Sequence, residues 1–410
     1  MRRLPATLVL LLVSCLALTA CSVLDGAAPS DARGGVDGRA ERQEQPSTGS
    51  SEPAEPAQSL ADAAYDRMTP EERVGQLFMF GLTTEGPTQE MYDAFAAHAG
   101  GNAFLRGGTD QGAEAVAEVT SQVEEVATVA GVRPFVSADQ EGGNAQALEG
   151  EGFSEMPTGV TQGLMEKNDL RESAREWAGE LIEAGVNVDL APVGDVVPAE
   201  IGSANAPIGY FRRQYGYDPE VAAPAVAAFV RGMQNGDVAT SVKHFPGLGR
   251  ATGNTDSDAT ATDPTVRGDA YLAPFAKAVR ARVAMVMVSS ANYPGIDPDN
   301  RACFSPTVMR DMIRGDLGFD GVIISDSFGS ASVAGTPPGK RAVRFFEAGG
   351  TLLLDTNYLD LEPMATAVLE RAAADPAFAQ TIEDDVRLVL AAKERFGLID
   401  DAADETEPQP

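Results

Sequence analysis

Eight short apolar runs, separated by amphipathic stretches, constrain this chain more than any other feature. Candidate strands lie at Gln76–Gly81, Asn102–Leu105, Pro134–Ala138, Asn187–Leu190, Ala239–Val242, Ala284–Ser289, Gly321–Ser325 and Thr351–Leu354. Helical patterns fall between them, as at Gly112–Val129, Leu170–Ala184, Pro219–Asn235, Pro306–Leu317 and Arg341–Ala348. A strand that is apolar throughout is covered on both faces, and strands alternating with helices pair in parallel. Eight such units in about 330 residues predict an α/β fold, a (β/α)8 TIM-like barrel, as a single catalytic domain over residues 61–400. A doubly wound open sheet is the competing architecture. It calls for a Gly-rich phosphate turn after the first strand, which Gly81-Leu82-Thr83-Thr84 does not supply. The domain opens at Met68-Thr69-Pro70-Glu71-Glu72, with Thr69 as N-cap, Pro70 at the first helical position and acids in the first turn.

The polar residues point the same way. Asp139, Asp189, Lys243-His244, Ser289-Ser290 and Asp326 all fall at or just past the C-terminal ends of candidate strands, where barrel enzymes build their sites. A lone aspartate after a strand ordinarily caps the next helix. Recurrence at five strand ends indicates a site instead. Its centre is Ser241–Asp258, S-V-K-H-F-P-G-L-G-R-A-T-G-N-T-D-S-D, which reads as a strand feeding a Gly-rich, hydroxyl-rich loop that ends in carboxylates. His244 is one of only two histidines; the other, His98 in A-A-H-A-G-G, reads as a helix C-terminus residue.

The flanks have a different character. Arg2-Arg3, the apolar run Leu8–Leu18 and Leu18-Thr19-Ala20-Cys21 read as a bacterial lipoprotein signal over residues 1–21, with Cys21 as the lipidated residue. This places the mature chain on the extracellular face of the cytoplasmic membrane, in contact with it only through the lipid anchor. Residues 22–60, rich in Pro, Gly, Ser and Glu, cannot bury enough surface to fold and read as a linker; residues 401–410 form an acidic tail. With 61 acidic against 31 basic residues and a net charge of −30, the chain repels phosphate backbones, so nucleic acid is not an expected partner. Once the signal is removed, Cys303 is the only thiol in the folded part and no disulfide can form there.

Five segments together resemble glycoside hydrolase family 3, in its single-barrel β-N-acetylhexosaminidase branch. They are M-T-P-E-E-R-V-G-Q-L-F at 68–78, D-Q-E-G-G at 139–143, N-V-D-L-A-P-V at 187–193, K-H-F-P-G at 243–247 and G-F-D-G-V-I-I-S-D at 318–326. The resemblance implies a retaining mechanism with Asp326 as the nucleophile. It also implies that Asp139, Lys243 and His244 hold sugar hydroxyls, and that Arg213, in I-G-Y-F-R-R-Q-Y-G-Y-D-P, is the binding arginine. The carbohydrate would be a terminal β-N-acetylglucosamine of peptidoglycan fragments. No metal or organic cofactor is expected, since there is no zinc-spaced Cys/His cluster, P-loop or G-x-S-x-G elbow.

The sequence departs from the branch in the loop after K-H-F-P-G. Where the branch carries an Asp-His dyad as acid/base, this chain has Asn254 and Asp256 or, if the loop slips by two residues, Asp256 and Asp258. In either register a carboxyl group replaces the imidazole. Asp256 is the expected acid/base, with its pKa raised by an ionised Asp326 nearby. A carboxylate there should also favour water over phosphate as the acceptor. The arginines usual just after D-Q-E-G-G are replaced by Asn144 and Ala147, and the histidine usual after the sixth strand by Ser289 or Ser290. The reading is an exo-β-glycosidase; the alternative is a catalytically impaired sugar- or muropeptide-binding barrel lipoprotein.

Overall fold

All eight expected strands form and pair in parallel. A computed structural model of the chain describes residues 58–84 and 87–401; the signal, Cys21, most of the linker and most of the acidic tail lie outside the described residues. The strands are β1 (Phe78–Thr83), β2 (Asn102–Arg106), β3 (Phe135–Ala138), β4 (Val188–Asp189), β5 (Ala239–Phe245), β6 (Met285–Val288), β7 (Val322–Ser325) and β8 (Leu353–Asp355). Each of β1 to β6 pairs with the next in chain order, β8 pairs with β1, and a parallel bridge between Ile324 and Leu352 joins β7 to β8. The sheet therefore closes on itself. Its strands are buried along nearly their whole length, as the unbroken apolar runs require.

Helices cover the outside. The helix Lys167–Glu183 sends Leu170, Ala174, Trp177, Ala178 and Leu181 inward at helical spacing, and the neighbouring helix Pro219–Asn235 does the same along a broad face of alanines, Val226, Phe229, Val230 and Met233. Asp218 caps the second of these through Glu220 N, and Pro219 occupies its first position. Thr69 and Glu72 form a full capping box on the helix Pro70–Gly75. His98 ends the helix Gln89–Ala97.

Most element ends shift by one to three residues from expectation, and three departures bear on the architecture. Ser59 and Leu60, expected in the linker, belong to the domain: Ser59 caps the helix Leu60–Arg67, and the N–H groups of Leu60 and Ala61 donate to the Glu394 carboxylate. The segment expected as an α-helix over 306–317 is a π-helix, Thr307–Asp316, which still buries Val308, Met309, Met312 and Ile313. Strand β5 runs three residues beyond its expected end, because its register against β6 slips between Val242 and Phe245 instead of terminating. Such a bulge re-aims consecutive side chains, and Lys243 and His244 both reach the barrel mouth.

Candidate active site

The strand ends converge on a pocket of about 390 Å³ at the C-terminal mouth of the barrel. Asp139 follows β3, Lys243 and His244 close β5, Asp326 follows β7, and Arg213 reaches in from the loop before the helix Pro219–Asn235; all five line the pocket. Leu190, Met287 and Leu354 supply apolar wall.

One side is a buried ion cluster. Glu141, in the hairpin Gln140–Gly142/Ala145–Gln146, takes a two-pronged contact from Arg213, Nε to Oε2 and Nη2 to Oε1, each 2.7 Å. Lys243 Nζ lies 2.6 Å from Glu141 Oε1 and 2.5 Å from Asp139 Oδ1. Burial alone would raise the Glu141 pKa, but the guanidinium and ammonium outweigh it and hold the carboxyl at about 2. Burial would likewise lower Lys243, yet the carboxylates of Asp139 and Glu141 leave it raised. Both shifts favour the charged forms of Glu141 and Lys243. The hairpin turn that delivers Glu141 needs the two glycines of D-Q-E-G-G, with φ of 90° at Gly142 and 57° at Gly143. Asp139 is 40% exposed and, with Oδ1 given to Lys243, has Oδ2 free to accept from a ligand hydroxyl. Beneath lies Asp189, fully buried, whose pKa burial pushes well above the usual range.

His244 is held from behind. Its Nδ1 is 2.7 Å from Oδ2 of Asp195, and Asp195 Oδ1 accepts from the Leu248 and His244 N–H groups. The Asp195 carboxylate accepts from Nδ1–H and so fixes the orientation of the ring, with Nε2 left to face the pocket.

The third wall holds two carboxylates. Asp326 accepts from Ser327 N–H at Oδ1, 2.8 Å, and from Ser290 Oγ at Oδ2, 3.3 Å. Of the two serines expected near this position it is thus Ser290 that touches Asp326, while Ser289 Oγ accepts from Ala291 N–H. Asp256 lines the same pocket; Asp258 turns outward, accepting from Thr260, and is absent from the lining. Asn254 is a turn builder whose side-chain oxygen accepts from Asp256 N–H, 3.0 Å. The loop is tied to the segment after Asp326 by two main-chain bonds, Ala331 N–H to Asp256 O and Ser332 N–H to Thr255 O, both 3.2 Å. The Asp256 pKa is raised, first by the protein crowding around it and second by Asp326, against opposing pulls from His244 and Arg213. Burial is thus the larger cause, whereas the sequence reading gave like-charge repulsion alone. The crowding is one-sided, since the side chain stays open to solvent through the pocket mouth.

Sequence reasoning missed Glu141, Asp195 and Arg106, the last an exposed cation at the end of β2 that lines the pocket. Arg106 was findable as the first charge after an apolar run, and Glu141 sat inside a quoted motif. Asp195 lay two residues past one. Among the described residues no group of three or more His, Cys, Asp or Glu side chains is arranged to hold a metal ion.

Comparison with known proteins bears on this arrangement. A sequence profile described as "Glycosyl hydrolase family 3 N terminal domain" matches residues 69–392. A β-hexosaminidase of Stenotrophomonas maltophilia is 35% identical over 216 residues, 50% of this chain and 62% of that protein. The chain therefore aligns with less than two thirds of that relative. A β-hexosaminidase of Pseudomonas aeruginosa is 32% identical over 275 residues, 63% of this chain and 78% of that protein. The crystal structure of a β-N-acetylhexosaminidase from Beutenbergia cavernae superposes with a TM-score of 0.76 at 43% identity, covering 80% of this chain and 99% of that one.

Proposed function

Because the chain belongs to glycosyl hydrolase family 3, we propose that it is a retaining exo-β-glycosidase acting on β-linked N-acetylglucosamine, with peptidoglycan fragments as the substrate and a lipid anchor at Cys21 holding it outside the cytoplasmic membrane. One observation carries the reading: Asp326 and Asp256 share a single pocket with the sugar-holding set Asp139, Arg213, Lys243 and His244. Support for the sugar comes from relatives described as β-hexosaminidases and β-N-acetylhexosaminidase.

In the first step an ionised Asp326 oxygen attacks the anomeric carbon, the glycosidic C–O bond breaks, and Asp256 gives its proton to the departing oxygen. In the second, Asp256, now a carboxylate, takes a proton from water, whose oxygen displaces Asp326 and restores the free acid. The raised pKa suits Asp256 to the first role, and hydrogen bonds from Ser290 and Ser327 hold the Asp326 carboxyl group in place for attack. The negative charge that Asp256 carries in the second step disfavours an anionic acceptor.

The test is hydrolysis of an aryl β-N-acetylglucosaminide by the chain and by Asp326→Asn. Turnover that vanishes in the variant is the expected result. Folded protein with no turnover on this substrate or on an aryl β-glucoside would instead favour a sugar-binding barrel.

A further inference from the structure

Asp326 runs into a turn, Ser327–Gly329, that three contacts clamp to the end of β8 and to the helix Pro338–Ala348. Phe328 N–H donates to Leu354 O at 2.9 Å, Ser327 Oγ donates to Thr356 Oγ1 at 3.1 Å, and Phe328 O accepts from Arg341 Nη1. Ser327 N–H, in the same turn, is the donor that holds Asp326 Oδ1. The fit is close at Gly329, where a Cβ would come within 2.2 Å of Thr356 Oγ1 and 3.2 Å of Asp355 Oδ1. Whatever fixes this turn therefore fixes the carboxyl group of Asp326.

Arg341 is a buried clamp with divided attachments. Only 6% of it is exposed; its Nη2 donates to Asp360 Oδ2 at 2.7 Å, and its Nη1 stands 3.8 Å from Oδ2 of the fully buried Asp355. Arg341 Nε and, taken as a carboxylate oxygen, Asp355 Oδ2 both lack a hydrogen-bond partner. As a neutral acid, Asp355 becomes a donor to the Asp360 carboxylate and its orphan oxygen is satisfied. Burial first, and Asp360 with it, raises Asp355 to about 7 against the pulls of Asn357 N–H and Arg341. The charged groups facing Asp355 are thus Asp360, from the turn Tyr358–Asp360, and Arg341, from the helix. Phe80, its partner on β1, and Ser327 and Thr356, beside Gly329, carry no charge.

We propose that Arg341 is a positioning residue for Asp326, acting through the turn Ser327–Gly329, and that Asp355 competes with that turn for the guanidinium. It rests on the glycosidase reading, in which Asp326 is the nucleophile. While Asp355 keeps its proton, Nη1 stays on Phe328 O and the turn is held. Once Asp355 ionises, a charge-assisted bond to its Oδ2 outcompetes one to a neutral carbonyl. The guanidinium fork is rigid, so closing the 3.8 Å gap draws Nη1 off Phe328 O. Asp326 then loses the support behind Ser327, and the attack slows.

The experiment follows kcat/KM of the full chain on an aryl β-N-acetylglucosaminide across neutral pH. This quantity reports groups of the free enzyme, and an aryl leaving group makes it insensitive to Asp256 as acid. The parent should lose activity as pH rises through about 7. Asp355→Asn presents a neutral amide at every pH, so its ratio of activity at about pH 6 to that at about pH 8 should be at least about threefold smaller than the parent's. His244 and Asp256 are common to both chains and cancel in that comparison. Asp360→Asn removes the charge that opposes ionisation of Asp355 and should move the decline to lower pH by at least about half a unit. Arg341→Gln should lower kcat about tenfold or more with KM within about threefold, since the sugar-holding residues are untouched. Matching pH profiles for the parent and Asp355→Asn, or a decline that Asp360→Asn leaves in place, would overturn the proposal, and so would an Arg341→Gln effect confined to KM. Should Arg341→Gln fail to fold, the two aspartate variants decide, because a purely structural role moves neither the ratio nor the midpoint. Folded parent with no turnover would refute the glycosidase reading itself, and with it a nucleophile to position.

Discussion

Replacing Glu141 by Gln removes the one carboxylate that serves two buried cations, and the size of the effect follows from the site. The ionised form is favoured in the fold to the extent that its pKa falls from an ordinary 4.5 to about 2, which corresponds to about 3 kcal/mol of stability at neutral pH. An independent route gives a similar value, since breaking a buried pair by deleting one partner costs about 3–5 kcal/mol. Glu141 is 4% exposed, so little of this is screened by solvent. With an unfolding entropy of about 2.1 cal/mol/K per residue over roughly 340 residues, the melting temperature should drop by about 4 °C. The sign of the pH dependence is determined. The folded value lies below the unfolded one, so the stabilisation is complete above 4.5 and is lost as pH falls toward about 2. Calorimetry of the chain and of Glu141→Gln at pH 7 and pH 3 tests this. The difference should shrink at pH 3 to under roughly half its neutral value. A Gln variant melting within about 1 °C of the parent at pH 7, or a difference of equal size at both pH values, would show that the cluster stores no such energy.

Asp256→Ala should lower kcat about 10²–10⁴-fold on a natural disaccharide while sparing an aryl glycoside, whose leaving group needs little protonation; equal losses on both would remove Asp256 from the acid role. Phosphate added to the aryl assay should yield no sugar 1-phosphate, as read by phosphorus NMR, because Asp256 is negatively charged when the acceptor enters. Asp195→Asn should weaken sugar binding by loosening the held ring of His244, raising KM more than it lowers kcat, with the melting temperature as a control for simple unfolding. Asp355, held at about 7 chiefly by burial, binds a proton in the fold that the unfolded chain releases near 3.8. Stability should therefore decline as pH rises from about 4 to about 7, and Asp355→Asn should flatten that decline in urea titrations.

The barrel was legible because each strand is a local signal: an apolar run long enough to cross the sheet, ended by a polar residue that the mouth keeps. Asp139, Lys243, His244 and Asp326 were found by that rule, and Arg213 by resemblance. The length of β5 was not legible, since Pro-Gly after Phe245 marks where a strand must stop but nothing local marks a bulge before it. Glu141 and Asp195 were missed for a different reason. Their importance is relational: Glu141 acquires it from Arg213, 72 residues on, and Asp195 from His244, 49 residues on. The choice between Asp256 and Asp258 was open because a two-residue slip leaves the composition of the loop unchanged; Thr260 settles their placement by taking Asp258 outward.

The two main-chain bonds that tie Thr255 and Asp256 to Ser332 and Ala331 use no side chain at position 256. The path of the loop is consequently indifferent to which residue sits there, and the distance from that position to Asp326 is a property of the backbone. Position 256 behaves as a socket. A lineage can exchange the group it presents, imidazole for carboxyl, without rebuilding the wall that holds it, and an engineer could exchange it back. Chemistry at this mouth can therefore drift one residue at a time while the barrel and the ion cluster around Glu141 stay unchanged.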